Sequence, residues 1–230
     1  MESAKISEIF LSYQGEGPYA GSRQLFVRFY GCNRDCAYCD TVMESYSVFS
    51  RNSLMSKLLD FKDDYNELAL TGGEPLDHSV FLAEFLPLYK NYIKKRVYLE
   101  TNGTLPDNLE HILDLVDIIA MDFKLPSSTG DKTDVWSAHR DFAAKASVKE
   151  LFIKAVITDS TIIDDIKKMS DIINMLDARP DIVLQPVDPL AEGIKEPDEE
   201  MLLYFKKYLK KETGSEVLIL GQMHKSLGIK

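Results

Sequence analysis

The sequence predicts an α/β fold with a largely parallel sheet, either doubly wound or bent into a complete or partial barrel. Two observations predict it. Short β-branched or aromatic runs alternate with longer segments of helical spacing, and such alternation calls for helical crossovers between parallel strands. The chemically unusual residues sit at the ends of the strand-like runs, where parallel sheets gather their ligands.

The runs "QLFVRF", "ELAL", "RVYLE", "DIIAMDF", "LFIKAVI", "DIVLQP" and "EVLIL" read as buried strands. Between them, "SLMSKLLDF", "VFLAEFLPLYKNYIKK", "PDNLEHILDLV", "TIIDDIKKMSDIINML" and "PDEEMLLYFKKYLKK" carry apolar residues at three- and four-residue intervals. Asp, Ser, Thr or Pro often stands at their starts, as helix N-termini prefer. "PSSTGDKTD", residues 126–134, is the one strongly loop-like stretch, a mobile flap or a surface connection. No repeat and no low-complexity linker interrupts the pattern.

At 230 residues and 45% hydrophobic content the chain can supply a sizeable core. A formal charge of -10 repels phosphate backbones, which favours small-molecule partners over nucleic acid. The opening "MESAKISEIF" lacks the pattern of a secretory signal, and no apolar run approaches the roughly 20 residues that span a bilayer. The expectation is a soluble cytoplasmic protein with no membrane partner.

All three cysteines, Cys32, Cys36 and Cys39, fall within "CNRDCAYC". An odd number on one short segment cannot form a closed set of disulfides. The spacing suits three corners of a 4Fe–4S cluster, with one iron left open, and equally three ligands of a structural zinc. Zinc would need a fourth ligand, and His78, His111, His139 and His224 are all distant in sequence.

"CNRDCAYC", with Tyr38 before its last cysteine, resembles the signature of the radical S-adenosylmethionine enzymes, and "TGGEP" is similar to that family's Gly-Gly-Glu-Pro segment. The resemblance implies that Cys32, Cys36 and Cys39 hold a 4Fe–4S cluster. Its open iron would bind S-adenosylmethionine, whose reductive cleavage yields a 5′-deoxyadenosyl radical. Gly73 and Glu74 would then hold the methionine end, the glycines leaving room for the ligand.

The N-terminal "EIFLSYQGEGPYAGSRQLFVRFYGCN" narrows the resemblance to the 7-carboxy-7-deazaguanine synthases, and the match continues through "CDT", "TGGEP", "ETNGT", "LQP" and "QMHKSLGIK". The family implies one domain over 1–230. It would be a partial (β/α) barrel of about six parallel strands with a reduced helical complement, smaller than the eight-stranded form. The cluster loop would be 32–41 and the substrate-binding segment 8–31. The implied reaction contracts 6-carboxy-5,6,7,8-tetrahydropterin to 7-carboxy-7-deazaguanine with loss of ammonia, towards queuosine. The implied partners are an electron donor such as flavodoxin or ferredoxin and a second copy of the chain in a homodimer.

Carried over residue by residue, Tyr13, Gln14, Gly15, Glu16, Arg28 and Thr71 fall on substrate positions, with His224 and the terminal carboxylate of Lys230 as further contacts. Arg28 offers a planar fork to a carboxylate. Ala37, Tyr38, Cys39, Gly73, Glu74, Glu100, Asn102, Asp122, Phe123, Lys124 and Gln185 fall on cofactor positions, and Thr41 on that of Mg²⁺. Asp122-Phe123 departs from the Ser-Pro usual before the lysine. Two rival functions are a glycyl-radical activating enzyme, which shares both motifs but needs a groove for a protein backbone, and a noncatalytic zinc or iron–sulfur module.

Overall fold

The computed structural model describes residues 2–41, 43–61, 63–131, 133–188, 193–222 and 228. Within them the chain forms one nine-stranded sheet in the order β3-β1-β2-β4-β5-β6-β7-β8-β9. β2 (Arg23–Phe29), β4 (Glu67–Gly72), β5 (Arg96–Thr101), β6 (Ile118–Asp122), β7 (Glu150–Ile157), β8 (Asp181–Pro186) and the short β9 (Val217–Ile219) are parallel. Six full strands and a three-residue edge strand match the expected sheet. It is open, with β3 and β9 at its edges.

The crossovers are α1 (Arg51–Leu59), α2 (Ser79–Tyr92), α3 (Pro106–Glu110), the short α4 (Pro126–Thr129), α5 (Trp136–Ala146), α6 (Ile163–Asn174) and α7 (Glu199–Thr213). Strand residues alternate between faces, so Val27, Leu70, Leu99, Met121, Ile153 and Leu184 bury against the helices in one core. The intervening Phe26, Ala69, Tyr98, Ala120, Phe152 and Val183 form a second, smaller cluster on the other face. One step further towards each strand's C-terminal end, this second face carries Arg28, Thr71, Glu100, Asp122, Lys154 and Gln185, which all border one cavity. Period two therefore gives an apolar floor with a polar ring above it.

Three elements, two strands and a helix, depart from the sequence-based expectation. β1 (Ser3–Tyr13) and β3 (Ser47–Ser50) extend the sheet in antiparallel fashion. β1 has no clean alternation because its register shifts between Ile6 and Glu8. Ala4 and Ile6 pack on the helical core, and after the bulge Ile9 and Leu11 do so. Glu8 and Phe10 are thereby turned towards the cavity, with Phe10 stacked on Phe26 at 5.1 Å between ring centroids. α5 is the other unforeseen element. Its buried His139, Phe142, Ala143 and Ala146 keep helical spacing, but small and polar residues mask the stripe.

"PSSTGDKTD" is not a free flap. Ser128 and Thr129 are buried, the Ser127 N–H donates to Asp165 Oδ2 at 2.8 Å, and the Ser128 and Thr161 hydroxyls lie 2.7 Å apart. Gly130 ends α4 at φ 70°, and the segment turns back against the cysteine loop.

Gly72 and Gly73 let the loops after β2 and β4 meet backbone to backbone. A Cβ on Gly72, which has φ +132°, would lie 2.2 Å from the Phe29 carbonyl oxygen, and one on Gly73 would lie 1.8 Å from that of Gly31. The Gly73 and Glu74 N–H groups donate to these same carbonyls, at 3.1 and 2.9 Å. The glycines thus make room for the chain's own backbone, and both also border the cavity. Gly73→Ala should force the two loops apart and cost about 3 kcal/mol. Thermal unfolding of the purified variant would then show a midpoint about 6–12 °C lower.

Candidate active site

The cavity over the polar ring holds about 500 Å³, in the range of small-molecule sites. Three walls build it. The cysteine loop contributes Cys32, Cys36, Tyr38, Cys39, Asp40 and Thr41, the strand ends contribute the ring, and the N-terminal segment contributes Tyr13, Gln14, Gly15 and Glu16.

The cysteine loop is braced on each side. The Ala37 N–H donates to the Thr129 carbonyl at 2.8 Å, and Arg34 pairs with Asp131 at 2.5 Å. Tyr38 is buried against Val156 and Val187. The Arg34 N–H and the Asn102 side-chain amide approach Cys32 Sγ at 3.4 and 3.9 Å, a donor environment suited to a thiolate. Burial pushes the Cys36 thiol up to about 11, and the Cys32 thiol upwards as well. Their ionisation therefore goes with metal binding rather than preceding it.

All three cysteines are free and border the cavity. Two buried acceptors on its wall, Asp122 Oδ1 and Gln185 Oε1, have no partner among the described residues. A three-thiol donor set with unspent acceptors beside it fits an iron–sulfur cluster and a ligand rich in N–H and O–H groups. The histidines needed for zinc lie elsewhere. His78 contacts the Tyr30 carbonyl, His111 the Ser79 hydroxyl and His139 the Asn102 carbonyl. Among the described residues, no three His, Cys, Asp or Glu side chains converge as ligands of a single ion.

Several residues expected to contact ligands also brace the site, and of these Gln14, Glu100 and Asn102 border the cavity. Glu74 has no exposed surface and does not border the cavity. Its carboxylate accepts from the Leu76 N–H at 3.0 Å, the Thr101 hydroxyl at 2.8 Å and the Asn102 N–H at 2.8 Å. It ties the loop after β4 to the end of β5. Asn102 is similarly committed. Its amide donates to Asn33 at 2.7 Å, its side-chain oxygen accepts from Thr104, and its carbonyl meets His139. Gln14 spends both amide protons, on Gln24 and Glu100, and accepts the Glu16 N–H, so it shapes the segment while bordering the cavity. Glu100 accepts from Gln14 at 2.8 Å and from Thr71 at 2.5 Å. Phe123 turns outward, its ring 4.3 Å from that of His139, and Ala37 acts through its backbone. His139, which sequence reasoning considered only as a metal ligand, is buried behind Asn102, and burial lowers it to about 4.

The remaining predicted residues face the cavity with chemistry to offer. Tyr13 is half exposed at its mouth. Arg28 lies 3.4 Å from Glu8 and over the Phe10 ring, both placed there by the β1 bulge. Asp122 accepts from Lys124 at 2.9 Å, and Lys124 lies 3.5 Å from the Tyr38 hydroxyl. Thr41 stands 3.5 Å from Asp40. His224 and Lys230 lie outside the described residues.

Burial pushes the Glu74 carboxyl up to about 7 against the pull of its three donors. The stability of such a raised carboxyl is fully present below its ordinary value of 4.5 and is lost as the pH rises through about 7. Glu74→Gln should be less stable at pH 5 by about 1–3 kcal/mol, because one donor meets an amide. It should also lose this component of the decline between pH 5 and 8, up to about 3 kcal/mol in the parent. Denaturant unfolding of both proteins across that range checks it.

Comparison with known proteins agrees with this arrangement. Residues 26–156 match the Radical SAM superfamily. A 7-carboxy-7-deazaguanine synthase of Geobacter sulfurreducens is 34% identical, covering 98% of this chain and 97% of that one. The synthase of Methanothermobacter thermautotrophicus is 29% identical over 99% and 98%. In fold, the crystal structure of QueE from Escherichia coli superposes with a TM-score of 0.64 at 18% identity, over 94% of this chain and 93% of that one. With a superfamily match across the cysteine loop and a likeness running almost end to end, the chain belongs to the 7-carboxy-7-deazaguanine synthase family of radical S-adenosylmethionine enzymes.

Proposed function

We propose that the chain is a 7-carboxy-7-deazaguanine synthase, converting 6-carboxy-5,6,7,8-tetrahydropterin to 7-carboxy-7-deazaguanine with loss of ammonia. One juxtaposition carries the reading: the three-cysteine loop and the Tyr13–Glu16 segment wall the same cavity. A site that generates a radical must hold its substrate beside the source, and this cavity is sized for a heterocycle. A glycyl-radical activating enzyme would instead need an open groove for a polypeptide. Here the chain's own N-terminal segment fills one wall. A metal module without catalysis would not need the polar ring. The near end-to-end likeness to the synthases weighs against both.

The cluster and S-adenosylmethionine, when bound, supply a 5′-deoxyadenosyl radical. The chain's residues hold and orient. Cys32, Cys36 and Cys39 would hold the cluster, and the backbone bonds from Gly73 to Phe29 and from Glu74 to Gly31 fix the base of their loop. Asp122 and Gln185 offer their unpaired oxygens to N–H or O–H groups of the cofactor. Arg28 meets the substrate carboxylate, and Glu16 accepts from the pterin N–H edge. Thr41, with Asp40 beside it, offers oxygen to Mg²⁺. Residues 1–230 act as one domain. A flavodoxin or ferredoxin as donor, a homodimer and a cytoplasmic location complete the proposal. No helix among the described residues is long and apolar enough to cross a membrane.

Two substitutions separate the radical source from the substrate site. Cys36→Ala should lose about a quarter or more of the iron and nearly all 5′-deoxyadenosine formation after anaerobic reconstitution, since no other cysteine can replace it. Full iron content with parental turnover would refute the assignment. Arg28→Ala should keep its cluster but bind the carboxypterin more weakly by about 2–4 kcal/mol, roughly 30- to 1000-fold. Titration of the reconstituted variant with carboxypterin, alongside iron analysis, tests it.

A further inference from the structure

Lys154 is the cavity residue that the motifs leave without a role. It projects from β7 onto the polar ring and is largely buried, with 16% of its side chain exposed. Its ammonium lies 2.5 Å from Glu16 Oε2 and 3.3 Å from Asp122 Oδ2. It thereby joins the N-terminal segment to the end of β6. The other Glu16 oxygen accepts from Gln185 at 3.3 Å and Gln222 at 2.8 Å. A carboxylate has about four acceptor positions. Three are filled from among the described residues, and Glu16 borders the cavity, so one is left for a ligand donor.

We propose that Lys154 is a positioning residue for substrate recognition, clamping the Glu16 carboxylate so that it meets the N–H edge of the pterin as a hydrogen-bond acceptor. The inference rests on the reading of Glu16 as a substrate contact. A cation bridging two buried carboxylates is a poor way to gain stability, since apolar packing would serve as well. What it provides is a charge fixed in place. Burial alone would drive Glu16 up, yet Lys154, by its charge and its hydrogen bond, holds it below the usual glutamate range. The other charges around this pair are Asp122 at the end of β6, Lys124 just after it and Glu100 from β5, with Tyr98 from β5 facing Glu16 and Asp40 sharing Gln222. Without Lys154, burial and the nearby Asp122 both favour the protonated carboxyl. A protonated Glu16 gives up acceptor capacity for the pterin edge, so binding weakens as the pH falls.

The test titrates reconstituted, full-length enzyme with 6-carboxypterin at pH 5.5 and 7.5, following the pterin's fluorescence. The parent should bind within about twofold at the two pH values, and Lys154→Met about tenfold more weakly at pH 5.5 than at 7.5. Lys154→Arg, which keeps the charge, should restore the flat profile. Glu16→Gln/Lys154→Met should also be flat, though weaker than the parent throughout. Glu74 titrates alike in every variant, so only differences between variants count. If Lys154→Met does not fold, Lys154→Gln, which keeps a donor without the charge, is read in the same way. A Lys154 variant with the parental affinity and profile overturns the proposal, as does a pH dependence that persists without Glu16. A Glu16→Gln single variant that binds like the parent overturns instead the reading of Glu16 beneath it.

Discussion

The site depends first on one fully buried carboxylate that ties neighbouring strand ends together. Glu74 accepts from the loop after β5 through Thr101 and Asn102, while its own N–H and that of Gly73 hold the loop after β2. Asn102 extends the tie to Asn33 and Cys32, and His139 closes it from behind. Three strand ends are thus tied together by hydrogen bonds. A cluster needs this because thiols on an unbraced loop would spend binding energy on ordering that loop. The Gly-Gly-Glu motif is best understood as a backbone weld between loops, with its glycines set by the neighbouring carbonyls.

A second constraint is charge. The chain carries a formal -10, yet the cavity floor balances Glu16 and Asp122 against Lys154 and Lys124. Burial opposes the ionised form of both carboxylates, and the lysines overcome it, so both are held below the usual range. Asp122 is the residue that departs from the family's Ser-Pro-Lys. A carboxylate there requires compensation, and its contacts with both lysines supply it. The departure therefore adds a charged link between cofactor and substrate walls that a serine could not form.

The parallel strands were legible because each is a short apolar run followed by a conspicuous turn, and the cysteine loop and Gly-Gly-Glu-Pro segment stood out by composition. β1 was not legible: its bulge shifts the alternation by one residue, so no single period describes "SAKISEIFLSY". α5 was hidden because alanine and a buried histidine make up much of its inner face. Roles were harder to read than positions. Gln14, Glu74 and Asn102 occupy motif positions, but whether a polar side chain faces a ligand or a neighbouring loop depends on partners 28 to 86 residues away. Lys154 and His139 gave no sequence signal, one being a lysine inside an apolar strand and the other a histidine inside a helix.

The same period-two alternation that hides some roles explains why this sheet can host such chemistry. Each strand buries one set of side chains against the helices and presents the other set to the cavity, apolar first and polar at the C-terminal end. Residues that must be placed accurately, such as Arg28, Asp122, Lys154 and Gln185, thus stand on hydrogen-bonded strands and not on loops. The cysteines, like Glu16 and Thr41, lie outside the strands, and Thr129, Asp131 and Asn102 brace their loop from outside. Rigid strands thus orient the groups that recognise ligands, and a pinned loop carries the thiols. Metal coordination itself can fix the final geometry of those thiols, which is why a loop suffices there and a strand is needed elsewhere.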